Sequence, residues 1–288
     1  MLDPKINSFI VLCETMNYTR AAERLCLTQP AISHHIKSLE EHYGCKLFSY
    51  QGKSLSLTDQ GRRLLSFARS MAYNSKRAEE AMAAPQALSL RVGATKTIGE
   101  FVIAPRVKRL IQENEGISFS LIVENTRQLL RDLDAGELDM ALIEGYFDRG
   151  SYELMRSRRE KFFGVCSAAH PFAGQTVTME RLLEERIIVR EPGSGTRAIF
   201  EQMLSRRGYS LESFRKRITV SDFSVIKSLL RDGLGLSFMY APVAERELRQ
   251  GSLACFQLED EQLSGEFSLV CLKGNLFAGQ WADILMPV

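Results

Sequence analysis

The 288-residue chain is too long for one small domain and suits two or three compact units. Its 45% hydrophobic and 25% charged residues are those of an ordinary soluble globular protein, and no apolar run reaches the length of a membrane span. Net charge is only +2, but residues 1–84 hold 11 Lys and Arg against 8 Asp and Glu, while the remainder holds 26 against 27.

The modest positive excess at the front favours a polyanionic partner there. The start, MLDPKINSF, lacks a basic-then-apolar leader, so a cytoplasmic protein with no membrane partner is expected. Six scattered cysteines (Cys13, Cys26, Cys45, Cys166, Cys255, Cys271) form no CxxC pair and read as buried, reduced thiols. His34 and His35 are neighbours that point in different directions on a helix, and His42 and His170 have no visible co-ligands. No metal and no cofactor is expected.

Ile6, Phe9, Ile10 and Cys13 form the i, i+3, i+4, i+7 stripe of a first helix, which Asn17 breaks. Thr19 is read as the N-cap of a second, Ala-rich helix with Ala22, Leu25 and Cys26 inside. Thr28 should cap a third, with Gln29 and Pro30 in its first turn and Ile32, Ile36, Leu39 and Tyr43 buried. The opposite face then shows Thr28, Gln29, Pro30, Ser33, His34 and Lys37, short polar groups and a cation suited to base edges and phosphates. After Gly44, Leu47–Tyr50 and Leu55–Leu57 read as a hairpin whose tip carries Lys53 toward the backbone or minor groove. Helix order, turn and wing together describe a winged helix-turn-helix for double-stranded DNA.

This stretch resembles the LysR-type transcriptional regulators. Thr19 to Leu25 (TRAAERL), Thr28 to Ser33 (TQPAIS), Ile36, Leu39-Glu40, Gly44, Leu47-Phe48, Leu57-Thr58 and Gly61 carry the match. His34 and Tyr50 stand where the family often has arginine, which bears on operator preference rather than fold.

Thr58 should cap a long helix from about Asp59 to Ala84, stopped before Pro85. Leu64, Ala68, Met71, Ser75, Ala78 and Met82 recur as a heptad seam, read as a dimer contact. The resemblance implies the same: an antiparallel linker-helix dimer presenting two heads, in a dimer or tetramer.

From Leu88 strands and helices alternate. Leu90–Gly93, a helix near Ile98–Asn114, the alternating strand Ile117–Val123, a helix near Arg127–Ala135 and Met140–Ile143 make one βαβαβ unit. Phe162–Cys166, Ile187–Arg190, a helix near Arg197–Arg207, Ile218–Val220 and a helix near Val225–Arg231 begin a second, followed by strands at Leu236–Met239, Leu253–Leu258 and Phe267–Leu272. Two α/β units with parallel sheets imply a cleft at the strands' carboxyl ends. The half resembles the LysR effector domain, built like a periplasmic binding protein. The expected division is 1–58 for the head, 59–87 for the linker and 88–288 for the effector domain. On the resemblance, subdomain I takes 88–161 and 267–288 and subdomain II takes 162–266.

Two loops suit an anion. Gly193, Ser194, Gly195, Thr196 and Arg197 combine converging amides, hydroxyls and a charge at a helix start. Thr95, Lys96 and Thr97 open a helix in the other unit with the same donors, and Asn125, Glu144 and Asp222 also end strands and can line the cleft. Part of this chemistry is helix capping. The GSGTR loop with Thr-x-Thr-Ile-Gly resembles the branch of the family linked to sulfur metabolism, which implies a small sulfur oxyanion among anionic or carboxylate effectors. RNA polymerase is a candidate partner. An enzyme is not expected, since Ser194 has no histidine partner and Lys96 no complete constellation. The alternative is a cytoplasmic small-solute-binding protein whose N-terminal module serves another interaction.

Overall fold

The computed structural model describes residues 2–52, 54–83, 89–145, 147–148, 150–259 and 263–286. The wing-tip residue Lys53, the helix stop at Ala84–Pro85 and the pattern change at Leu88 lie outside the described residues.

Helix α1 (Pro4–Thr15) buries Phe9 and Leu12 completely. Each such side chain stabilises the head by about 1.5–3 kcal/mol. α2 (Tyr18–Arg24) is capped by Asn17, not Thr19: Asn17 Oδ1 accepts the Arg20 N–H at 3.0 Å. The left-handed Met16 (φ 46°) ends α1 and puts Asn17 directly at the next start. The buried pair of α2 is therefore Ala21 and Ala22, while Leu25 is half-buried and Cys26 is exposed at φ 53°. α3 (Gln29–Tyr43) is capped as expected, with Thr28 Oγ1 accepting the Ala31 N–H at 3.3 Å and Gly44 closing it at φ +64°. Ile32, Ile36 and Leu39 are buried, but Tyr43 is exposed and packs edge-on against His42 at 4.9 Å.

The wing is β1 (Phe48–Gln51) paired antiparallel with β2 (Ser54–Leu57). Glu40 of α3 fastens it by accepting the Leu47 N–H at 2.9 Å and pairing with Lys46 at 2.6 Å. Helix α4 (Asp59–Ala83) starts at Thr58, whose hydroxyl accepts the Gly61 N–H at 2.9 Å and donates to the Lys46 carbonyl at 2.7 Å. Gly61 is needed there, because a Cβ would lie 2.2 Å from the Leu47 carbonyl oxygen.

The heptad reading of α4 requires correction. Leu64 and Ala68 are buried in the core of their own head, while Met71, Ala78 and Met82 are exposed and Ser75 is half-buried. The exposed apolar face instead runs through Phe67 (69% exposed), Met71 and Met82 (82% exposed).

Beyond α4, β3 (Ser89–Ala94) leads to α5 (Lys96–Phe101) and α6 (Ala104–Glu113). The single helix expected over 98–114 is broken at Val102–Ile103, since Pro105 cannot donate to a carbonyl one turn back. β4 (Ser118–Val123), α7 (Thr126–Asp134) and β5 (Met140–Glu144) complete the first lobe's parallel set, in which β3 lies between β4 and β5. Strand β6 (Tyr152–Ser167) is sixteen residues long, three times the expected Phe162–Cys166. It is followed by β7 (Thr176–Val177), α8 (Met179–Glu184), β8 (Arg186–Val189), α9 (Gly195–Arg206) and β9 (Lys216–Thr219). Then come α10 (Phe223–Arg231), β10 (Ser237–Tyr240), α11 (Ala241–Arg249), β11 (Leu253–Leu258), β12 (Ser264–Leu272) and α12 (Ala282–Leu285).

The two lobes are not separate parallel sheets. β6 pairs antiparallel with β12 over Tyr152–Lys161, then with β10 and β11 over Phe162–Ser167. One mixed sheet, in the order β4-β3-β5-β12-β6-β11-β7, thus crosses from lobe to lobe, with parallel β8 and β9 beside it. These crossing strands carry the chain between lobes and set the carboxyl ends of β3 and β5 opposite the loop after β8.

Linker helix α4 also docks on the first lobe. Tyr73 is buried, with its hydroxyl donating to Asp139 Oδ1 at 2.8 Å, and Arg69 pairs with Asp134 at 2.8 Å. Arg77 donates to the Ser89 carbonyl at 2.9 Å, and Asn74 to that of Gly274 at 2.9 Å.

Candidate functional site

The head presents Thr28, Gln29, Pro30, Ser33, His34 and Lys37 together on the exposed side of α3. His35 turns the other way, its Nδ1 2.8 Å from the buried Ser8 hydroxyl, so His34 alone of the pair faces outward. Lys37 is held only loosely by Glu41 at 3.7 Å, both side chains largely exposed. Such a pair is worth little in water and leaves the ammonium free to trade partners for a phosphate.

The second site lies where the lobes meet. Thr97, in α5 of the first lobe, and Thr196, in α9 of the second, bring their hydroxyls to 3.4 Å in a buried contact. Glu144 at the end of β5 accepts the Thr196 hydroxyl at 2.7 Å and the Thr196 N–H at 3.2 Å. Burial raises the Glu144 carboxyl above its usual range, against the pull of the Thr97 and Thr196 hydroxyls and Arg190. Thr95 heads α5 without capping it, and its buried hydroxyl has no hydrogen-bond partner. Gly193 (φ +92°) faces Asn125: a Cβ there would lie 3.8 Å from Asn125 Oδ1. Thus Thr95, Thr97, Asn125, Glu144, Gly193, Gly195 and Thr196 gather at one junction.

Four expected site residues are differently engaged. Ser194 is the N-cap of α9, accepting the Arg197 N–H at 3.5 Å. Arg197 is engaged by Glu201 at 2.8 Å and by the Arg190 carbonyl at 3.2 Å, since an i+4 carboxylate lies within easy reach of its long stem. Asp222 caps α10 by accepting the Val225 N–H at 3.0 Å, and the Ser224 hydroxyl, with that amide second, holds its carboxyl below the usual range. Lys96 spans the cleft, donating to the Ser221 carbonyl at 2.9 Å.

Arg190 was not anticipated. It is 4% exposed, paired in-plane with Glu191 at 2.8 and 3.0 Å, and its guanidinium lies 4.2 Å from the Phe223 ring centroid. Its remaining amine, Nη1, has no hydrogen-bond partner. The signal available for it is an arginine closing the apolar run Ile187-Ile188-Val189. Burial opposes ionisation of Glu191, but Arg190 prevails and holds that carboxyl below its usual range. Among the described residues no group of three metal-type ligands occurs and no helix is long and apolar enough to cross a membrane. Cys13, Cys166 and Cys271 are buried, the last with its thiol pushed up to about 12 by burial, whereas Cys26 and Cys255 are exposed rather than buried as expected.

A head shaped for DNA thus precedes a two-lobed unit with a polar junction. Residues 5–62 match the bacterial regulatory helix-turn-helix protein of the lysR family, and residues 83–278 match the LysR substrate binding domain. This chain belongs to the LysR family. The regulator is 30% identical to the RuBisCO operon transcriptional regulator of Allochromatium vinosum, over 94% of this chain and 90% of that one. It is 26% identical to the regulator CysL of Bacillus subtilis, over 92% and 89% of the two chains. Among solved structures it resembles a mutant OxyR of Corynebacterium glutamicum with bound hydrogen peroxide (TM-score 0.62, 21% identity, 98% and 90% covered). It also resembles the CcmR regulatory domain of Synechocystis in complex with 2-PG (TM-score 0.60, 22% identity, 69% and 95% covered). The regulator is accordingly a ligand-responsive, DNA-binding transcription factor and not an enzyme.

Proposed function

We propose that the regulator senses a small oxyanion or carboxylate at the lobe junction and converts lobe closure into a change in how paired heads sit on DNA. The observation that carries this is the buried meeting of Thr97 and Thr196 hydroxyls from opposite lobes at the start of α9. Helix amides, hydroxyls and the half-satisfied Arg190 supply what an anion requires. The division into head (1–58), linker (59–87) and a two-part effector domain is supported by the crossing of β6 from β12 to β10 and β11 at Lys161–Phe162.

Thr28, Gln29, Pro30, Ser33, His34 and Lys37 are the proposed DNA contacts, with Lys53 added from the sequence. Self-association through the Phe67–Met71–Met82 face of α4 would set the spacing of two heads. A cytoplasmic location and contact with RNA polymerase complete the reading. A sulfur oxyanion is the effector that the GSGTR resemblance favours, and the 2-PG complex of the CcmR domain adds that ligand to the candidates.

The test is a thermal-shift panel of sulfate, sulfite, thiosulfate, phosphate and 2-PG on wild type and Thr196→Ala. At least one ligand should raise the wild-type transition and lose most of that effect in the variant. A shift left intact by Thr196→Ala would remove the α9 loop from the site.

A further inference from the structure

The seat at the start of α9 is already filled by the protein itself. The Thr196 N–H belongs to the first turn of the helix, where amides have no intrahelical acceptor, and is the donor that a bound anion would take. Here that donor and the adjoining hydroxyl both serve Glu144, reaching from the opposite lobe. The approach depends on Gly195, where a Cβ would lie 2.3 Å from the Glu144 carbonyl oxygen and 2.5 Å from its Cγ. Thr126 of α7 steadies the same residue, its hydroxyl 3.4 Å from the Glu144 carbonyl.

The seating is incomplete. Glu144 is 2% exposed, yet its Oε2 accepts no hydrogen bond, and the buried Arg190 Nη1 and Thr95 hydroxyl are likewise unpaired. A carboxyl whose ionised form is disfavoured by burial gains free energy on returning to water. The contact is therefore one that a better-satisfied oxyanion can replace.

We propose that Glu144 is an internal stand-in for the effector: its carboxyl occupies the N-terminus of α9 and bridges the lobes, and an oxyanion ligand binds by displacing it. The proposal rests on the junction being the effector site. It narrows the ligand to one presenting a carboxylate- or sulfate-sized group to Thr196, with the unpaired Nη1 of Arg190 as a further donor.

Acetate copies the end of the Glu144 side chain and serves as the probe. In the full-length protein, Glu144→Ala empties the seat while Glu144→Gln keeps it filled. Thermal-shift titration with acetate, against chloride at equal ionic strength, should show E144A binding at least about tenfold tighter than wild type, the margin of one good charge-assisted hydrogen bond. E144Q should respond as wild type does. Adding Thr196→Ala to E144A should cut the gain severalfold, since the hydroxyl is lost while the amide remains. Equal acetate responses in wild type and E144A, no response in E144A, or a gain left unchanged by Thr196→Ala would each overturn the proposal. If E144A does not fold, Glu144→Ser takes its place under the same criteria. Failure of the effector-site reading looks different: acetate would still fill the emptied seat, but no oxyanion of the panel would act through Thr196 in wild type.

Discussion

Glu144 and Arg190 are ionisable groups held in an interior that ordinarily admits such groups only when paired. Arg190 is the charged group acting on Glu144, itself balanced by Glu191; Lys96 and Arg197 on the neighbouring helices are turned onto the Ser221 carbonyl and Glu201. Because burial raises the folded-state pKa of Glu144, its proton is held more tightly folded than unfolded. Well below its ordinary value of 4.5 it is protonated in both states and costs nothing. As pH rises through 4.5, the unfolded chain ionises first and stability drains away until the folded group ionises too. Urea unfolding of wild type and Glu144→Gln from pH 4.5 to neutrality should therefore show the wild type losing ground steadily to the variant. A constant gap would mean that the carboxyl is no harder to ionise in the fold than in water.

Elements show what could be read in advance and what could not. The caps at Thr28 and Thr58, the buried stripe Ile32, Ile36 and Leu39, and the alternation of β4 are local signals, and the structure bears out each of them. The break between α5 and α6 was also local, since Pro105 announces it, but the apolar run Phe101-Val102-Ile103 read as continuous helix. Strand β6 was legible only in its apolar end, because Arg156, Arg158 and Glu160 depend on β12, about a hundred residues later, for their pairing. The junction residues were found from strand ends and glycines; the bond between Glu144 and Thr196 was not, since it closes only when two lobes meet. Docking of α4 was hidden likewise, as Tyr73 and Asp139 are 66 residues apart. Tyr73→Phe should cost about 1 kcal/mol in urea unfolding, and Asp139→Ala about 1–3 kcal/mol, since it strands the Tyr73 hydroxyl and Arg91 without an acceptor. Equal, negligible costs would show that α4 rests on the lobe without being held by it.

At the scale of the whole molecule, a single helix joins the head to the proposed ligand junction, and the proposed function requires that the two binding events be thermodynamically linked. Whatever factor the effector applies to DNA affinity, DNA must return to effector affinity, with about 5–150-fold as the usual range. Operator titrations with and without the thermal-shift ligand, and ligand titrations with and without operator, should give the same factor. DNA binding indifferent to a ligand that occupies the junction would rule out the coupling. The docking of α4 gives this linkage a mechanical scale. Its 25 residues make a lever about 37 Å long, pinned to the first lobe around Tyr73 and rooted in the head by Leu64 and Ala68. Pivoting about Tyr73, about 21 Å from the start of the helix at Asp59, a tilt of roughly 9° sweeps that start by about 3 Å, close to the 3.4 Å step between stacked bases. A lobe movement too slight to disturb either core would thus be enough to carry a recognition helix from one base pair to the next.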